Sequence, residues 1–163
     1  MENPTNGNVS GTVSPGIGDV ENRQAIIAGS ARVSRNAIVG APGEWRDKRS
    51  RFAACIDDGA IIREGARVHA GCERHTIVGA RTLIMAGAHV GHDAQIGVEC
   101  NIAPNAVIGG CVTIGNRVRI GMNASILPHV CIGDGARIGA GTVVHRDVPA
   151  GETWVGVPAR RIR

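Results

Sequence analysis

Residues 78–144 read VGARTL IMAGAH VGHDAQ IGVECN IAPNAV IGGCVT IGNRVR IGMNAS ILPHVC IGDGAR IGAGTV V, a stretch that divides into sixes. Each of the twelve positions that open a six or end the run is Ile or Val: Val78, Ile84, Val90, Ile96, Ile102, Ile108, Ile114, Ile120, Ile126, Ile132, Ile138 and Val144. Two residues before most of them stands a small or slender side chain, as at Ala88, Ala94, Cys100, Ala106 and Val112. Gly follows directly at 79, 91, 97, 109, 115, 121, 133 and 139. Such a period matches neither the ~3.6 of a helix nor the ~2 of a plain strand. It describes short strands joined by tight turns, with the aliphatic pointing inward and glycine or Asn easing the turn. Three sixes close one triangular coil of ~18 residues, and coils stack at the strand spacing of ~4.8 Å. The fold predicted is all-β: a parallel solenoid.

Weaker fragments carry the column upstream, Ile56, Ile62 and Val68 in one register and Ile27, Val33 and Val39 in another, for about six coils in all. Two breaks of register mark excursions, at 40–55 and 69–77. Residues 1–23, rich in Gly, Asn, Ser and Pro and without register, read as a disordered segment ahead of a single β-helix domain over 24–163. Composition agrees. With 24 Gly and only Trp45, Phe52 and Trp154 as aromatics, the chain suits a thin solenoid better than a sandwich or a bundle, whose layers need large side chains.

The five cysteines (55, 72, 100, 111 and 131) show no CxxC pairing and read as free thiols of a reducing cytoplasm. No apolar run reaches the ~18 residues of a membrane span, and no secretory leader opens the chain. A net charge of +4 favours phosphorylated ligands or an acidic carrier protein. It is too diffuse, and too poor in interleaved aromatics, for nucleic acid.

The coil period also says which residues stack. One column reads His92, Gly110, Pro128 and its neighbour Asp93, Cys111, His129, Asp147. A polar cluster on so regular a scaffold is where a site is expected. An imidazole can take a proton from a hydroxyl or amine as it attacks a thioester, and a carboxylate can hold the ring. Gly110, one coil on, lets its N–H approach a carbonyl oxygen. The reading is acyl transfer: His92 as general base, Asp93 as its support, Gly110 as oxyanion donor. His89 and Cys111 are expected beside the substrate, and Trp45 and Arg46 of the first excursion at the acceptor. The bland reading makes His92 a solvated turn residue and Cys111 a packing residue.

These motifs carry a resemblance over roughly 25–163 to the hexapeptide acyltransferase superfamily, whose fold is the left-handed parallel β-helix. IIREGARVHAG (61–71) and TLIMAGAHVGHDAQIG (82–97) look like the UDP-N-acetylglucosamine acyltransferase of lipid A synthesis. Its A-H-x-x-H-D motif falls on Ala88, His89, His92 and Asp93. Residues 101–162, ending in the V-G-x-P-A-[KR] pattern at Val155–Arg160, are similar to sugar O- and N-acetyltransferases that use acetyl-CoA. The resemblance implies a homotrimer with sites between subunits, no bound cofactor or metal, acetyl-CoA as co-substrate and a sugar-like acceptor. It places CoA along Gly110, Met122, Ala140, Gly156, Arg160 and Arg161, whose guanidinium groups suit phosphate; a solvated basic tail is the other reading of Arg160, Arg161 and Arg163. Two departures bear on the donor. Cys111 stands where the lipid A enzyme has His, and that enzyme's C-terminal helical domain has no counterpart before Arg163. Alternatives are a longer-chain acyltransferase using acyl-carrier protein, a γ-carbonic-anhydrase-like zinc lyase built on His69, His89 and His92, and a β-helix that serves only assembly.

Overall fold

The computed structural model describes residues 25–43 and 50–163; the N-terminal segment, Trp45 and Arg46 lie outside the described residues. The described chain winds into the parallel solenoid that the repeat predicts and the left-handed β-helix that the resemblance implies, six coils with three faces. On the first face Ala25–Ile27, Ala54–Ile56, Thr76–Val78, Gln95–Ile96, Thr113–Ile114 and Cys131–Ile132 pair in parallel. The second runs from Arg32–Val33 to Thr153–Val155, and the third from Ile38–Ala41 through Arg67–His69, His89–Val90 and Val107–Ile108 to Val143–Val144. Among the described residues there is no helix, and so none long and apolar enough to cross a membrane.

The aliphatics that open the sixes make the core. From Ile56 to Val144 they are at most 3% exposed, each interleaved with a buried small residue such as Ala88, Ala106 or Ala124. Full burial of one such side chain contributes ~1.5–3 kcal/mol before entropy is counted. The upstream fragments join this column across the register breaks: Ile27 pairs with Ile56 and Ile56 with Val78, while Val39 pairs with Val68 and Val68 with Val90.

Glycine and Asn ease the turns as expected at Gly59, Gly65, Gly87, Asn105, Asn123, Gly135 and Gly141, but other residues do the same and other glycines serve another end. Left-handed backbone at the third residue after an aliphatic occurs also without glycine, at φ 55–66° in Arg81, Asp93, Glu99, Asn105, Cys111, Arg117, Asn123 and His129. The glycine directly after the aliphatic is there for closeness between coils: a Cβ on Gly91 would sit 2.7 Å from the Gly110 nitrogen. A second correction concerns the last coil. It is shortened, so that Ile132 bridges Val148 and Ile138 pairs with Trp154. Asp147 therefore falls beside Cys131, whose N–H it accepts at 2.7 Å, and the column Asp93, Cys111, His129 ends at His129. Beyond it Trp154 fills the core position of the second face, with the Arg146 guanidinium 5.0 Å from its ring centroid. Arg160–Arg161 then folds back antiparallel on Thr153–Val155, covering the sheet edge.

The two excursions leave the helix at one corner. They occupy the path from the third face to the first, between Ala41 and Ala54 and between His69 and Thr76. One coil further on, that same corner is Gly91–Asp93.

Candidate active site

Turn geometry sets the site. His92 and Asp93 are the middle residues of the turn that joins His89–Val90 to Gln95–Ile96, and Asp93 holds the left-handed conformation at φ 60°. Asp and Asn tolerate that conformation better than most side chains. It places the Asp93 carboxylate under the second excursion, where it is 1% exposed. There Oδ1 accepts the backbone N–H groups of Cys72, Glu73 and Arg74, each at 2.9 Å. The Asp93 N–H donates to Thr76 Oγ1 at 2.8 Å, and Arg74 Nε donates to the Asp93 carbonyl at 3.1 Å. Gly71 makes this loop feasible, since a Cβ there would overlap the Arg74 carbonyl oxygen.

Burial alone would push the Asp93 carboxyl up; the amide of Arg74, the His92 ring and the amides of Glu73 and Cys72 together outweigh it and hold the group below its ordinary value. Asp93 is therefore a carboxylate, able only to accept. Its Oδ2 lies 2.7 Å from His92 Nδ1, so Nδ1 carries the proton of that bond. In the neutral ring the lone pair is then on Nε2, the nitrogen nearest Gly110. A Cβ on Gly110 would come within 2.6 Å of it. Among the described residues the Gly110 N–H has no hydrogen-bond acceptor.

His69, His89, Gly91, His92, Gly109 and Gly110 line a cleft of about 220 Å³. His69 is buried and its Nδ1 lies 2.8 Å from the Pro42 carbonyl oxygen of the first excursion. Its ring packs on His89 with centroids 4.8 Å apart. The two excursions are themselves bonded, Phe52 and Gly71 exchanging N–H···O contacts at 3.1 and 3.0 Å. Gly43 lies against the back of His92, where a Cβ would reach Cys72 Sγ and His92 Cβ.

The expected residues thus divide. His92, Asp93, Gly110 and His89 come together. Cys111 lies over Asp93, its N–H donating to the His92 carbonyl at 2.9 Å. Burial and then the Asp93 carboxylate raise its thiol pKa, which argues against a thiolate nucleophile. Met122 and Ala140 stack at the corner between the second and third faces, across the width of the third face from Gly110. Arg160 and Arg161 belong to the terminal strand pair and Gly156 to the turn within it, so within one chain none of these five lines the cleft. His69, His89 and His92 do share the cleft. Among the described residues, however, the group of three potential ligands whose donor atoms lie within 4.8 Å of one another is Cys72, His92 and Asp93. Sequence reasoning missed Thr76, Gly71 and the amides of 72–74. The available signal was a polar residue at the inward slot before Val78, directly after a register break.

Residues 75–110 and 111–146 match the family described as Bacterial transferase hexapeptide (six repeats). The chain is 37% identical over 107 residues to an acyl-[acyl-carrier-protein]–UDP-N-acetylglucosamine O-acyltransferase of Pseudomonas putida, covering 64% of this chain and 42% of that protein. Among solved structures it resembles LpxA from Acinetobacter baumannii with TM-score 0.81 at 27% identity, covering 83% of this chain and 54% of that one. A mutant of perosamine N-acetyltransferase from Caulobacter crescentus, in complex with CoA and GDP-perosamine, gives TM-score 0.63 at 27% identity, covering 87% and 58%. The chain spans well under two thirds of the length of each of these relatives.

Proposed function

We propose that this chain, which belongs to the bacterial transferase hexapeptide family, is an acyltransferase that uses His92 as general base. The observation that carries the reading is the Asp93–His92 pair, with Nε2 beside Gly110, whose N–H has no acceptor among the described residues, in a cleft lined by His and Gly. An acceptor hydroxyl or amine in the cleft attacks the thioester carbonyl while its proton passes to His92 Nε2. Asp93 stabilises the imidazolium that forms. The Gly110 N–H donates to the tetrahedral oxyanion. Collapse breaks the C–S bond, and the imidazolium returns the proton to the departing thiolate. We favour direct attack by the acceptor, since burial and the Asp93 carboxylate raise the Cys111 thiol pKa.

Acetyl from acetyl-CoA is the donor we favour, because the C-terminal pattern is shared with acetyltransferases and the perosamine enzyme holds CoA. The acceptor is a sugar or nucleotide sugar, in keeping with that enzyme's GDP-perosamine and the UDP-N-acetylglucosamine of the Pseudomonas relative. A longer chain delivered on acyl-carrier protein is the second reading, supported by that same relative. We further propose a homotrimer. Met122 and Ala140, two of the residues assigned to CoA, lie across the third face from Gly110, and a neighbouring copy packed on that face would bring its own pair to the cleft.

Calorimetric titration with acetyl-CoA, decanoyl-CoA and acyl-carrier protein tests the donor. Saturable acetyl-CoA binding, followed by turnover in an acceptor screen that His92→Ala abolishes, is the expected result. Binding of acyl-carrier protein alone would transfer the reading to the longer-chain donor. Absence of binding to every thioester would reject acyl transfer.

A further inference from the structure

The Cys72 N–H donates to Asp93 Oδ1 at 2.9 Å. The second excursion also brings the Cys72 thiol to the dyad. One donor atom each from Cys72, His92 and Asp93 lies within 4.8 Å of the others. Both the thiol and the carboxylate residue are buried, at 5% and 1% exposure, and Gly43 closes the outer side. Sulfur, imidazole nitrogen and carboxylate oxygen form a donor set suited to zinc, not to magnesium or calcium. Zinc holds sulfur at ~2.3 Å and nitrogen at ~2.0 Å, so modest side-chain rotation closes this group on the ion.

We propose that Cys72, His92 and Asp93 form a site for a thiophilic divalent cation, Zn²⁺ or Cd²⁺, whose binding switches the base off. Charge supports it: a thiolate and a carboxylate neutralise the dication, which buried charge requires. The proton balance is simple. Cys72 loses its proton to solvent, while Asp93 Oδ2 and His92 Nδ1 exchange their shared hydrogen bond for bonds to the metal. Neutral His92 then carries its proton on Nε2, the nitrogen that must be bare to accept one from the acceptor. Water takes the remaining coordination position. The inhibitory consequence rests on the reading of His92 as base; the binding itself does not.

Cobalt(II) reports the site without any acyl donor, because a thiolate ligand gives a near-ultraviolet charge-transfer band. The full-length chain titrated with Co²⁺ is expected to develop that band at one metal per chain, and Zn²⁺ to displace it. Cys72→Ser and His92→Ala should each lose the band, while Cys111→Ser, which alters a neighbouring thiol, keeps it. Thermal melts of the variants establish that each is folded. In a thioester turnover assay Zn²⁺ should inhibit wild type and a chelator restore it. Failure to form the band at one equivalent, or a band that survives in folded Cys72→Ser, would overturn the proposal. A purely packing role for Cys72 gives one of those two outcomes. If the band forms as described but no thioester is turned over, the metal site stands and the acyltransferase reading falls.

Discussion

Replacing Asp93 by Asn separates the chemistry of the dyad from its architecture. The left-handed conformation at residue 93 suits Asn at least as well as Asp. An amide oxygen at the Oδ1 position still accepts the three N–H groups of residues 72–74, now without charge assistance. That weakens each bond by about 1 kcal/mol, ~3 kcal/mol for the set. Opposing this is relief from burying a charge, the largest single influence on the Asp93 carboxyl. The net loss of stability should be about 2 kcal/mol or less. At Oδ2 the change is of another kind. Asn presents an NH₂ donor to His92 Nδ1, which must then accept, and the ring proton moves to Nε2. The base is left in the wrong tautomer. Inverting a histidine in this way in a catalytic dyad removes on the order of 10²–10⁴ from kcat, about 3–5.5 kcal/mol of transition-state stabilisation.

Two assays check it. Thioester turnover gives kcat, which should fall by that factor with KM for the donor little changed. Thermal melts against pH give the linkage. The folded-state pKa of Asp93 is depressed, so its ionised form stabilises the fold fully above ~4, the ordinary value in an unfolded chain. That contribution is lost as pH falls through the lower folded value. Wild type should therefore lose stability below about pH 4 more steeply than Asp93→Asn, whose residue 93 does not titrate. Turnover within a few-fold of wild type, in a variant with the same acid limb, would refute the dyad as the working base.

Other expectations follow from the same geometry. Gly110→Ala places a methyl against His92 Nε2 without demanding left-handed backbone, so turnover should fall about 10²-fold or more while the melting temperature moves little; unchanged turnover would remove Gly110 from the site. Thr76→Val keeps volume but strips the acceptor from a buried Asp93 N–H, costing ~1–3 kcal/mol in denaturant titration, and Thr76→Ser should restore most of it. In the core, Ile108→Ala should cost ~2–5 kcal/mol and Ile108→Val only ~0.5–1.5, readable in urea midpoints; equal costs would contradict a close-packed column.

How much of this was legible in the sequence depended on period. A strict six with Ile or Val at one phase left one workable architecture, and the upstream fragments Ile27, Val33 and Val39 joined it although 40–55 interrupts the phase. The stacking of His92 under Gly110 followed from counting one coil, and the structure places them in contact. Counting failed where the coil length changed. The count stacks Asp147 over His129 because nothing in HRDVPA announces that the last coil is short. The glycines were legible as punctuation but not as to their purpose, since a left-handed turn and a close approach of two backbones both demand a missing Cβ. The three amides that hold Asp93 were invisible for a simpler reason: backbone donors leave no residue signature.

A perfect repeat cannot by itself make such a site. Each coil offers the same outward positions, so a side chain at a turn meets only its own kind of neighbour one strand spacing above and below. A buried carboxylate needs several donors converging from one side, and the repeat supplies none. Asp93 obtains them from 72–74, inserted where the regular path would have gone straight on. The first excursion adds its part, as Pro42 and Gly43 close on His69 and on the back of His92. Both insertions leave at the corner that carries His92 one or two coils later. The register breaks therefore point to the site more directly than the polar residues do: where a solenoid interrupts its period twice at one corner, the next regular turn at that corner is the one the insertions can reach.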